Sequence, residues 1–391
     1  MGGGVMIRCL GGAICVFAML AGVFVLAIQG APGGPIRVAF VAALTGPSAF
    51  GAEMARQGVI LAVEEINKRG GVLGRQLDLT VQDTKANPVE AVSAIRRLVA
   101  QDGIKLILGP HTSSEVLATM PVLNELKAVA ITTLATSPVI TQQMGKGGDP
   151  WMFRAVPPDD TMARALINMA VTRIGDKRLG IVARNDDFGR GIVTAFAKFA
   201  LAEGAVITST NFYTSGGSYD FSSTLTRLKQ ENPQAVAFVG TIEEAIPFIK
   251  QFAEQGLKAH IYLRGAQPNQ FLYEQLGPLV NGIYSVEPYF SEIDSKENRD
   301  FIARFKARWN RDPIFHAPLT YAAAYILVDA IQLAGTDDPG QVRDKLSKVR
   351  YHGVTGDMVF DEFNQVHPNI YAGRVQCAAG HCQVVVISSA R

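Results

Sequence analysis

IKLILGPHTSSEVLATMP, residues 104–121, decides the fold. A short apolar run leaves through Gly109-Pro110 and sets Thr112, Ser113 and Ser114 at the mouth of a helix-like pattern. Three consecutive hydroxyls build no core. In open parallel sheets ligands bind beyond the carboxyl ends of the strands. A helix N-terminus there offers unpaired N–H groups and a partial positive charge. With the hydroxyls of Ser113 and Ser114 added, the stretch suits a carboxylate. The competing expectation is that Ser113 or Ser114 only caps the helix.

Outward from this stretch, strand-like and helix-like segments alternate. IRVAFVA (36–42) reads as a strand, and residues 52–69 place Val59, Ala62, Val63 and Ile66 on one helical face. QLDLTVQD (76–83) alternates like a strand, and Pro88 opens a helix carrying Val92, Ile95 and Val99. VAIT (129–132) closes the first set. After Pro157-Pro158 the rhythm resumes with strands at 178–183, 205–213, 235–239 and 260–263, separated by helices at 189–203, 221–231 and 243–255. Such alternation predicts an α/β protein with parallel sheets covered by helices on both faces. Residues 104–132 and 235–263 share one layout of strand, Gly, hydroxyl, helix and strand, so two similar lobes are expected. Helices at 296–309 and 318–334 follow the second set and could cross back to cover the first.

At 391 residues the chain exceeds what one core usually supports. Its 18% charged residues and net charge of +2 show neither a disordered composition nor a basic stripe for nucleic acid. Residues 1–30 carry one charge, Arg8, and an apolar run from Cys9 to Ile28, the pattern of a secretory signal peptide. The run also reaches bilayer-spanning length, so an uncleaved anchor is the alternative. Cys9 and Cys15 belong to this leader. Cys377 and Cys382, in VQCAAGHCQVVVI, flank a four-residue turn between strand-like segments and are expected to form a disulfide. A metal site with His381 lacks a fourth ligand nearby.

A second stretch, TTLATSPVIT (132–141), repeats the opening theme at the next strand end. Pro138 holds Thr136 and Ser137 in extended backbone, which presents its own polar groups. Together with ALTGPSAFG, GVILAVEEINKRGGVLGRQLDLTVQD, GPHTSS, FRAVPPDD, DDFGRG and YDFSSTLTRLKQENP, in that family's order, the chain resembles the periplasmic substrate-binding proteins of branched-chain amino-acid ABC transporters. The resemblance implies the type I periplasmic binding protein fold: two Rossmann-like lobes with parallel sheets joined by three crossing segments. The lobes would be residues 31–158 with 288–368, and 159–287 with 369–391.

The resemblance places the ligand's α-carboxylate on Ser113 and Thr136, with backbone contacts from Leu134 and Ala135. It places Phe50 and Phe188 in the cleft, where the family often has tyrosine, and Thr241 where it has another aromatic. The acidic residue that takes the α-ammonium in branched-chain amino-acid binders falls on Gly265, beside Arg264. An unpaired buried ammonium is costly. Either Glu243, Glu244 or Asp159 takes over, or the ligand is an acid without an ammonium, which Arg264 would favour. The family's early disulfide is replaced by Asn87 and Thr112. His111, beside the cradle, is either a ligand contact or a structural histidine, and Tyr321 and Tyr325 are expected to face the core.

The function implied is an exported, periplasmic solute-binding component of an importer. Its partners would be a small carboxylate-bearing solute and the inner-membrane permease and ATPase subunits. It would act as a monomer, with no cofactor, metal or nucleic acid. A ligand-sensing module of the same fold is the alternative. An enzyme is disfavoured: G-x-S-x-G, P-loop, dinucleotide and H-E-x-x-H motifs do not occur.

Overall fold

A computed structural model describes residues 1–2 and 33–390, so all but the first two residues of the expected leader lie outside the described residues. Strands β1 (Ile36–Ala42), β2 (Leu77–Asp83), β3 (Leu106–Leu108), β4 (Val129–Thr132) and β5 (Met152–Arg154) form one parallel sheet in the order β2-β1-β3-β4-β5. Helices α1 (Ala49–Lys68), α2 (Pro88–Ala100), α3 (Ser113–Leu126) and the short α4 (Pro138–Gln143) connect them. Apart from the edge strand β2, the strands are nearly all buried, as sheets covered on both faces require.

The second sheet has the order β14-β13-β10-β9-β8-β6-β7. Its parallel part comprises β6 (Arg178–Arg184), β7 (Val206–Tyr213), β8 (Ala235–Val239), β9 (His260–Arg264) and β10 (Tyr284–Glu287). Helices α5 (Asp159–Asn168) and α6 (Asp187–Ala202) pack together, as do α7 (Ser222–Glu231), α8 (Ile242–Glu254) and α9 (Gln270–Leu276) along their own series. The chain then leaves this sheet. Helices α10 (Lys296–Trp309) and α11 (His316–Ala334) pack on α1, and α12 (Pro339–Leu346) packs on α11. By length and apolar composition α11 could cross a membrane, but here it is a buried core helix.

A two-stranded ribbon, β11 (Tyr351–Gly353) and β12 (Gly356–Met358), precedes the return to the second sheet. There β13 (Ile370–Ala378) and β14 (His381–Ala390) add an antiparallel hairpin, bridged at its tip by the Cys377–Cys382 disulfide. The chain therefore passes between the sheets after β5, after β10 and after β12. Arg154, fully buried, ties two of these passages to the site loop. It donates to Gln365 Oε1 and, at 2.8 Å, to Ser137 O, while Gln365 Nε2 donates to Val156 O.

The opening stretch folds by local rules. Gly109 has φ +119°, and a Cβ there would lie 2.1 Å from Val41 O, so β3 leaves beside β1 only as glycine. Thr112 is the N-cap of α3: its Oγ1 accepts from Glu115 N, and Glu115 Oε2 accepts from Thr112 N. This corrects the expectation that Ser113 or Ser114 caps the helix. The Glu at the third helical position selects Thr112 and frees both serines. Asn87 likewise caps α2, so both positions that the resemblance assigns to a disulfide are helix caps here.

Candidate functional site

The carboxyl ends of β3, β4, β6, β8 and β9 point into one cleft between the sheets. From the first sheet, Ser113 and Thr136 line it, both nearly fully buried. Ser113 Oγ accepts from Ser137 N at 3.2 Å, which leaves its own proton for a ligand. Thr136 differs. Its Oγ1 donates to Asp159 Oδ2 at 3.0 Å, so its proton is already held by a carboxylate of the protein.

Asp159 is fully buried and also accepts from Arg264 Nη2 at 2.8 Å. Burial raises its carboxyl group, and Arg264 opposes the shift. Arg264 is 2% exposed, so it is no surface cation; its Nη1 lies 3.7 Å from Glu287 Oε2, and its guanidinium sits 5.6 Å from the Phe188 ring centre. Burial pushes Glu287 up to about 7 against the pull of Arg264. Thr136, expected to hold a ligand's carboxylate, and Arg264 thus share one already supplied by Asp159.

Leu134, Phe188, Thr241 and Gly265 also line the cleft. Ala135 does not: it is 1% exposed, with its N–H directed at Thr132 Oγ1. Phe50 does not line it either. Its ring stacks on Phe271 at 4.9 Å and faces a separate cavity with Met54 and Ile314, because the first turn of α1 turns it outward. Gly265 has φ +86°, and a Cβ there would lie 2.6 Å from Gly240 O and 3.0 Å from Phe188 Cζ. An acidic side chain cannot stand at 265 while Phe188 keeps its place.

Of the three acids considered as substitutes, Asp159 is committed as described. Glu244 accepts from Thr241 N at 2.8 Å, from Tyr213 Oη at 2.9 Å and from Ser215 Oγ. Glu243 alone of the three lines the cleft with an oxygen to spare. Its Oε1 accepts from Phe50 N at 2.9 Å across the lobes, while Oε2 is buried without a partner among the described residues. Burial raises its carboxyl group.

Sequence reasoning missed Arg184, Asp186, Ser48 and His316. Arg184, at the end of β6, pairs with Asp186 at 2.8 Å and reaches Ser48 Oγ across the cleft at 3.4 Å. The strand-end rule that selected Ser113 selects these three as well. His316 begins α11, far along the chain, and no local signal marks it.

Matches to known proteins agree with this architecture. The periplasmic binding protein family model matches residues 35–381. The leucine-, isoleucine-, valine-, threonine- and alanine-binding protein of Pseudomonas aeruginosa is 30% identical over 332 residues, covering 84% of this chain and 86% of the relative. Two solved structures share the fold. The branched-chain amino acid transporter substrate-binding protein of Streptococcus pneumoniae, in complex with isoleucine, has TM-score 0.80 and 23% identity, covering 90% of this chain and 99% of its own. A solute-binding protein of an ABC transporter from Rhodopseudomonas palustris, in complex with 3,4-dihydroxybenzoic acid, has TM-score 0.82 and 21% identity, covering 91% and 97%. The chain belongs to the periplasmic binding protein family: it is a substrate-binding protein acting outside the cytoplasm, and not an enzyme.

Proposed function

We propose that the chain is a monomeric periplasmic receptor for a small carboxylate-bearing solute, enclosed between lobes 31–158 with 288–368 and 159–287 with 369–391 and handed to a permease and its ATPase. Residues 1–30 serve as its export signal. The observation that carries this reading is Ser113, buried at the mouth of α3 with an uncommitted hydroxyl proton, facing Leu134, Met162, Phe188 and Ile242. A carboxylate there meets the helix N-terminus, and the apolar walls take the remainder. The favoured solute is an organic acid without an α-ammonium, because Gly265 carries no acid and Asp159 and Glu244 are committed.

One observation favours a second reading, an amino acid. The bare Oε2 of Glu243 could accept an ammonium, and the relative named above binds amino acids by its name. Thermal-shift titration with matched pairs separates the two: leucine against 4-methyl-2-oxopentanoate, and phenylalanine against phenylpyruvate. The first reading expects the oxo acids to raise Tm and the amino acids not to. The second expects the reverse, with the shift abolished in Glu243→Gln. If no carboxylic acid raises Tm, the carboxylate assignment fails.

A further inference from the structure

His111 and His316 stand together on the first-lobe wall of the cleft, with ring centres 6.1 Å apart. Each is 8% exposed, and Nδ1 of each is buried without a partner among the described residues. Burial lowers both, with Arg184 also acting on His111, which is held at about 3, and His111 also acting on His316. Both rings are therefore neutral in the working range. A neutral imidazole presents one donor and one acceptor. Left unmatched, each buried polar atom is destabilising.

The surroundings keep room for these rings. His316 stacks on Phe315 with ring centres 3.9 Å apart. A Cβ at Gly51 would lie 2.5 Å from His316 Nε2, so any side chain at 51 would take the space of the imidazole. The nearby charges are already balanced: Arg184 is paired with Asp186. The wall thus offers neutral donors and acceptors rather than net charge. A carboxylate only accepts and an ammonium only donates, so neither matches both kinds of ring nitrogen. A hydroxyl does both.

We propose that His111 and His316 read a hydroxyl group on the bound solute, so that hydroxy acids are the preferred ligands of this cleft. The inference rests on the carboxylate reading of Ser113 and adds a second recognition point to it. Neither histidine reacts; both set specificity. A site built to hydrogen-bond a hydroxyl discriminates against the analogue without it, because its polar groups are then left unpaired.

Isothermal titration of the full mature protein tests this with paired probes that differ by one hydroxyl. The pairs are 4-hydroxybenzoate and benzoate, 2-hydroxy-4-methylpentanoate and 4-methylpentanoate, 3-phenyllactate and 3-phenylpropionate, and threonine and 2-aminobutyrate. At least one hydroxy compound is expected to bind about tenfold or more tightly than its partner. His111→Phe and His316→Phe should each bring that ratio close to one. His316→Gln, which keeps a donor and an acceptor, should retain part of the preference. Acids that bind with no pair distinguished overturn the proposal. So does a preference that survives both phenylalanine variants. If a variant fails to fold, the paired comparison on the unsubstituted protein still decides. If no acid of either kind binds, the carboxylate reading itself falls and this inference with it.

Discussion

Ser113 and Thr136 look alike in the sequence but differ in what their protons do. Ser113 Oγ accepts from Ser137 N and can still donate, whereas Thr136 Oγ1 gives its proton to Asp159. Ser113→Ala should therefore weaken a carboxylate solute by about 1–3 kcal/mol, read by calorimetry. An unchanged affinity would remove Ser113 from the site. Thr136→Ala acts indirectly, by releasing Asp159 toward Arg264. Glu287 offers a pH test. Burial raises its carboxyl to about 7, above the ordinary glutamate value of about 4.3. The folded state binds that proton more tightly than the unfolded chain. Its contribution is thus complete at low pH and is lost as pH rises toward 7. Glu287→Gln removes the dependence. Relative to the unsubstituted protein it should gain on the order of 1 kcal/mol per pH unit between about pH 4.5 and 7. Urea denaturation across that range checks it, and a constant difference would contradict the assignment.

Helix ends illustrate how local rules shape the site. Thr112 and Glu115 form a reciprocal cap on α3, which frees Ser113 for the cleft. Thr112→Ala should cost about 1 kcal/mol of stability by chemical denaturation. No loss would mean the cap contributes nothing. At α1 the arrangement is different: the N-cap Ser48 makes no side-chain cap, and Glu243 from the opposite lobe accepts from Phe50 N instead. A carboxylate at a helix N-terminus is favourable, so α1 is completed only when the lobes are together. Thr112-x-x-Glu115 was readable as a capping signature, while the cap from Glu243 was not, because its partner is 193 residues away.

At the scale of the molecule, contacts across the cleft hold the closed arrangement. Thr241 Oγ1 donates to Pro47 O at 2.9 Å, Phe50 N to Glu243 Oε1, and Phe50 stacks on Phe271. A solute shifts such an equilibrium only by binding the closed form better than the open one. Removing lobe–lobe hydrogen bonds should therefore weaken the solute without touching it. The pair Thr241→Val with Glu243→Leu, which removes the donor and the acceptor, is expected to lose roughly thirtyfold in affinity, at about 1 kcal/mol per bond. In X-ray scattering it should need more solute to reach the same compaction. Scattering curves that never change with solute would argue against hinge closure in this chain.

The sequence by itself determined the alternation of strands and helices, the placing of Ser113 and Thr136 at strand ends, and the glycine that turns the chain there, while the cap it suggested at Ser113 or Ser114 fell on Thr112. These follow from neighbours within a few residues, through periodicity, capping and steric limits on the backbone. Only the tertiary structure decided which of those groups are free. It buried Arg264 against Asp159 and Glu287, turned Phe50 away from the cleft, and set His316 beside His111. The reason is physical: once water is excluded, a polar side chain is governed by whichever partner shares its volume. Apart from Glu287, 23 residues from Arg264, those partners meet across sequence separations of a hundred residues and more.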